Sequence, residues 1–125
     1  MVIFYLHPFV KRLREDIIST IVNRLASEDE YMTSGGIVSE LLGSPYFNLS
    51  GGFMRGKINA PIQLLLSIGL KNAGEKELAC RIATRYCDLV CKTGLSSWMC
   101  ETIVEWTSET AAIFLTIASY LLGED

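Results

Sequence analysis

From Pro8 to Ala26 apolar residues recur at three- and four-residue steps: Phe9, Val10, Leu13, Ile17, Ile21, Val22 and Leu25, with Lys11, Arg14, Asp16 and Asn23 between them. That period predicts an amphipathic helix. Pro8 suits its first turn, where a missing N–H costs nothing, and the preceding "VIFYL" reads as an extended lead-in or a short strand. A second helix is predicted over 60–73. Asn59 stands as its N-cap, Pro61 in its first turn and Gly74 just past its end. Its stretch "PIQLLLSIGL" is apolar nearly all round, as in a helix covered on several sides. The next helix, 75–93, is two-faced. Leu78, Ile82, Tyr86, Leu89 and Val90 form its inner side, while Lys76, Glu77, Arg81, Arg85, Asp88 and Lys92 form its wet side. The short junction at Gly74 makes the two an antiparallel hairpin. A last helix, 106–122, again apolar on most faces, closes on Gly123. Greasy helices alternating with two-faced ones predict an all-α fold of antiparallel hairpins in two layers.

Two stretches have no long period. One is 94–105. The other, 27–59, is long for a connection in a small domain, which marks it as a functional loop or a set of short helical turns. Within it "SEDE" is expected to cap one turn, its acids meeting the positive end of the helix dipole, and "GGIVSELLGS" to form another.

At 125 residues, half of them hydrophobic, the chain fits one domain, 1–125. A net charge of −3 with interspersed signs argues against nucleic acid and against an anionic membrane surface. The apolar start, Met1 to Phe9, lacks the basic leader and cleavage site of a signal peptide, and Ala111 to Leu122 is too short to cross a bilayer. A soluble, cytoplasmic protein is expected. Of the cysteines Cys80, Cys87, Cys91 and Cys100, three fall on one predicted helix, and the sole histidine, His7, is remote in sequence. That arrangement suits neither zinc nor disulfides and predicts reduced, half-buried thiols, with no metal and no cofactor.

The stretch "GGFMRGKINAP" carries the chemistry. Glycines on both sides of Arg55 let backbone approach whatever the guanidinium holds. Together with "EYMTSGGIVSELLGSPYF" before it and "EWTSETAAIFLTIASYLL" after it, the stretch resembles, in order and spacing, the carboxy-terminal part of six-hairpin (α/α)6 toroid glycosidases. Glycoside hydrolase family 63 and the trehalase-like and mannosylglycerate-hydrolase-like enzymes are the nearest in look. The family loop reads Tyr-Trp-Arg-Gly-Pro-Ile-Trp-Ala-Pro and leads into an inner helix; a later Trp-Thr-Ala opens the last one. The resemblance covers about 30–122.

It implies a partial toroid arc and a fragment of a carbohydrate-facing cleft. Arg55 would fork onto sugar hydroxyls, Trp106 and Thr107 match the later motif, Glu40 matches a polar position in the "GIVSE" loop, and Trp98 and Trp106 are candidate stacking faces. The chain departs from the pattern at Met54 and Asn59, which replace tryptophans, and at Lys57, which replaces proline. Hydrolysis takes two carboxyl groups flanking the bond. The segment that supplies the family's acid lies upstream of the part matched, and where its base is found this chain reads "GLSSWMCETIVEWT", with Glu101 and Glu105 nearby. No catalytic residue is assigned.

Each candidate has a plainer reading. Arg55 can pair with a local carboxylate or cap carbonyls, the tryptophans can be half-buried packing, and Glu40 can be a solvated or capping residue. Two functions follow. The first is a fragment of a glycoside-hydrolase-like domain that keeps part of a sugar-binding loop and does not hydrolyse alone. The second is a non-catalytic all-α interaction or scaffold module. In both, exposed helix flanks at about 25 cal/mol per Å² favour self-association, and a homodimer through apolar helix faces is expected.

Overall fold

The computed structural model describes residues 14–47, 56–93, 108–121 and 123. Among these, the elements run α1 (Glu15–Ala26), β1 (Met32–Thr33), β2 (Gly36–Ile37), α2 (Ala60–Asn72), α3 (Lys76–Thr93) and α4 (Ser108–Leu121). The chain is therefore mainly helical, with one small sheet that the periodicity did not announce. Positions 8–13 of the expected first helix, and Trp106, Thr107 and Leu122 of the expected last one, lie outside the described residues.

The caps of α2 form as its flanking residues dictate. Asn59 is extended, and its Oδ1 accepts from the Ile62 N–H at 3.3 Å, satisfying one of the donors a helix start leaves open. At the other end the Glu75 N–H reaches back to the Leu70 carbonyl (2.8 Å) and the Gly74 N–H to that of Lys71 (3.1 Å). This paired closure reverses the chain within three residues and sets α3 antiparallel to α2. Ala60 accordingly shares a core cluster with Val90, and Leu70 one with Leu78.

Helix α4 packs on both α2 and α3. The Lys71 ammonium lies 4.8 Å from the ring centre of Tyr120, joining the last turn of α2 to the last turn of α4. The two apolar helices thus run in the same direction, and their N-termini lie at a common end. The two-faced helix α3 buries Leu78, Ile82, Tyr86 and Val90 against them, as its period predicts, with Leu89 partly buried.

The core divides in two. One cluster joins Ile18, Ile21, Val22 and Leu25 of α1 to Met32, Ile37, Ile62, Leu66, Leu70, Leu78, Ala79 and Ile82. The other gathers Val38, Ile58, Ala60, Ala83, Tyr86, Val90, Ile113 and Ile117. Burying a side chain such as Ile82 in the first cluster or Ile117 in the second contributes roughly 1.5–3 kcal/mol.

The connection 27–59 is where expectation and structure part. "SEDE" does form a single capped turn: Ser27 Oγ accepts from the Asp29 N–H, and the Ser27 carbonyl from Glu30, Tyr31 and Met32. Its acids, however, serve other elements, Glu28 pairing with Arg85 at 2.9 Å and Glu30 with Arg24 at 3.1 Å. "GGIVSELLGS" does not open as a helical turn. Gly36 and Ile37 pair antiparallel with Thr33 and Met32, and Val38 bridges to Ile58. The β-branched pair Ile37 and Val38 favours extended backbone, and partners on both sides absorb its polar groups. Among the described residues no helix is long and apolar enough to cross a membrane.

Candidate functional site

The site begins with a side chain that the sequence hides in a greasy helix. Gln63 of α2 is fully buried. Its Oε1 accepts from the Ile37 N–H at 2.9 Å, while its Nε2 donates to the Ile37 carbonyl at 2.7 Å and to the Asn59 carbonyl at 3.2 Å. One amide thus acts as a third strand for β2. Gly36 faces β1 through its carbonyl, which accepts from the Thr33 hydroxyl, and Val38 does so through its N–H, which donates to Tyr31, so Ile37 points its polar groups the other way, into Gln63. At Gly36, φ is +116° and a Cβ would stand 2.6 Å from Gln63 Oε1, so only glycine fits.

From β2 the chain passes along the N-terminal approach to α2. The Ser39 N–H donates to the Lys57 carbonyl (3.2 Å), and Ser39 Oγ accepts from the Gly56 N–H (3.0 Å). Gly56, at φ +119°, is covered by the ring of Phe47, whose carbons lie 2.6–2.8 Å from where a Cβ would be. Three segments therefore meet over the start of α2: 36–40, 44–47 and 56–59. Ser39 and Asn59 are buried, their polar atoms bonded, so the corner is held by satisfied groups.

Glu40 lies here, half-buried, with Oε1 accepting from the Leu41 N–H at 3.3 Å. Arg55, Trp98 and Trp106 lie outside the described residues, as does Met54. Chain adjacency still carries information. Gly56 follows Arg55 directly, and Ser39, its hydrogen-bond partner, directly precedes Glu40. Helix α4 begins at Ser108, at the same end of the helical layer as α2.

Compared with protein-family models, with curated proteins and with solved structures, the chain matches none. Function is therefore argued from the corner itself.

Asn59 is 5 % exposed and committed to its cap, so it offers nothing to a ligand. Among the described residues of the corner, Glu40 is the only acid. One carboxylate accepts hydrogen bonds from hydroxyls; splitting a glycosidic bond takes a second. Sequence reasoning missed Gln63 and the partly buried Arg85, whose guanidinium donates to the Thr33 carbonyl at 3.0 Å and so braces the hairpin from α3. A lone glutamine amid leucines was the available signal for the first; nothing set Arg85 apart from a solvated face.

The cysteines sit elsewhere, on α3. Cys80 and Cys91 are exposed and Cys87 partly buried, its thiol pushed up to about 11 by burial, with Cys91 and Asp88 adding to the effect. Beside it the Tyr86 phenol, raised to about 12 by burial and by Cys87, has a hydroxyl without a hydrogen-bond partner among the described residues. Tyr86 and Cys87 share a core cluster with Val38, Ile58 and Phe47 of the corner, and Cys100 lies outside the described residues. A separate cleft of about 220 Å³ opens between α2 and α4, lined by Leu64, Ile68, Lys71, Thr116, Ile117 and Tyr120 among others.

Proposed function

We propose that the chain is part of a glycoside-hydrolase-like (α/α) helical domain, and that the corner above α2 binds a neutral sugar without hydrolysing it alone. The single observation that carries this is the Gly56 to Ser39 hydrogen bond. It joins, across 17 residues of one connection, the two stretches that the resemblance assigns to carbohydrate. An ordinary linker has no need of a buried serine, a glycine at positive φ and a buried glutamine to hold two loops in one register. The helical arrangement supports the same reading: two apolar helices running in the same direction, with a two-faced helix across both, is what a stretch of a double-walled helical ring needs.

In this reading Glu40 accepts from sugar hydroxyls, and Arg55, adjoining Gly56, donates to them. Trp98 and Trp106 are the stacking faces that the resemblance offers to this reading. The test is titration of the purified chain with methyl α-glucoside and maltose, following tryptophan fluorescence. Saturable quenching that Arg55→Ala abolishes is expected; an unchanged signal across the titration refutes the proposal.

A second reading, a homo-oligomeric scaffold, is favoured by one feature. Leu115 on α4 is 64 % exposed, on the helix that forms one wall of the 220 Å³ cleft. A dimer through these helices would bury both. Sedimentation that changes on Leu115→Glu separates this reading from the first.

A further inference from the structure

We infer that the cleft between α2 and α4 binds a medium-chain monocarboxylate, its aliphatic body against the two helices and its carboxylate on the Lys71 ammonium. The inference stands apart from the corner and its sugar. The cleft holds about 220 Å³. Because α2 and α4 run in the same direction, successive turns of the two helices face each other along it. Leu64 and Ile68 of α2 and Ile117 of α4 form its apolar wall. One turn further along each helix stand Lys71 and Tyr120, the ammonium 4.8 Å from the centre of the ring. The two hydroxyls in the wall are already spent on their own helices: Ser67 Oγ donates to the Gln63 carbonyl at 2.7 Å and Thr116 Oγ1 to the Ala112 carbonyl at 2.9 Å. The cleft is therefore oily along its length and polar at one end, where Asn72 adds an exposed amide.

Lys71 is the only charged side chain among the described residues of the wall, and it sets the sign of the ligand. The negative end of α2 does not cancel it, since the last carbonyls, those of Gly69, Leu70 and Lys71, accept from the N–H groups of Ala73, Glu75 and Gly74. An ammonium has three donors, so Lys71 takes a carboxylate oxygen beside the contacts it already makes. Volume sets the size. An apolar cavity of about 150 Å³ holds one benzene ring; a cleft of about 220 Å³ holds about half as much again, the bulk of an octanoate tail. The exposed large apolar side chains among the described residues, Ile17, Tyr46 and Leu115, all lie outside the wall. The cleft is thus not the centre of a broad apolar patch such as a second copy of the chain needs. A concave slot between helices, apolar but for a few polar groups gathered at one place, has the form of a small-molecule site.

The experiment is calorimetric titration of the full chain with octanoate, butanoate and octanamide, using wild type, Lys71→Met and Thr116→Phe. Octanoate is expected to bind saturably, and butanoate at least roughly thirtyfold more weakly, since each methylene withdrawn from water contributes about fourfold. Exchanging octanoate for octanamide, or Lys71 for methionine, should each weaken binding roughly five- to twentyfold. Thr116→Phe sets a ring in the cleft from an exposed position and should abolish binding, with the far-ultraviolet spectrum and melting midpoint of wild type, so that a loss of affinity is not a loss of fold. Octanamide binding as tightly as octanoate, or Lys71→Met binding octanoate as tightly as wild type, overturns the carboxylate assignment. Unchanged binding by Thr116→Phe, or no binding of octanoate by wild type at millimolar concentration, overturns the site. A dimer in sedimentation that Thr116→Phe dissociates overturns it too, by giving the cleft to a second copy.

Discussion

Replacing Gln63 with leucine removes one amide and leaves a side chain of similar size in the same buried space. The Ile37 N–H and carbonyl then lose the partner that the structure gives them, since its neighbours in the strand face β1 and Ile37 faces α2. The Asn59 carbonyl suffers less, because it also accepts from the backbone N–H of residue 63 at 3.2 Å. Two orphaned buried groups at about 1–3 kcal/mol each, partly offset by the more apolar side chain, give a net loss of about 2–4 kcal/mol. That is a large share of the 5–15 kcal/mol typical of a domain, and corresponds to a fall in Tm of roughly 10 °C or more. Urea unfolding of the full chain measures it, and amide hydrogen exchange localises it: protection at Ile37 should collapse well before that of α3. A Gln63→Leu variant within about 0.5 kcal/mol of wild type, with Ile37 still protected, would show that the clamp is incidental.

Three further outcomes follow from the same geometry. Gly36→Ala and Gly56→Ala should each destabilise by more than about 1 kcal/mol in urea melts, since each adds positive-φ strain to a clash with Gln63 or Phe47. Tyr86→Phe should be neutral or stabilising, as it deletes a buried hydroxyl with no partner among the described residues. In wild type burial holds the Tyr86 phenol at about 12 in the folded chain against 10.0 when free, so stability is unaffected by its titration below pH 10 and falls as pH rises from 10 to 12. Denaturation followed across that range with Tyr86→Phe as reference checks the sign. At pH 8, peptide mapping after brief alkylation should find Cys80 and Cys91 modified ahead of Cys87, whose thiol is partly buried and raised to about 11.

The helices from residue 60 onward were readable because their signals are local. Asn59, Pro61 and Gly74 fix the ends of α2 through groups within a few residues, and the period of α3 sorts its faces without reference to any partner. The hairpin was not readable, because two-residue strands are too short to show alternation and their stability comes from Gln63, 26 residues away. Arg85 was hidden for the same reason: its partner, the Thr33 carbonyl, is 52 residues distant, and a sequence records side chains, not backbone acceptors. Of the site, Glu40 and the Arg55 motif stand out by composition and resemblance. What no periodicity could supply is that residues 39 and 56 meet, and that the Phe47 ring covers Gly56.

The most direct measurement is amide chemical-shift mapping of the isotopically labelled chain on addition of maltose. Shifts that saturate and centre on Ser39, Glu40 and Gly56 are the predicted result. Shifts confined to the α2–α4 cleft, or none at millimolar sugar, would contradict a carbohydrate-facing corner.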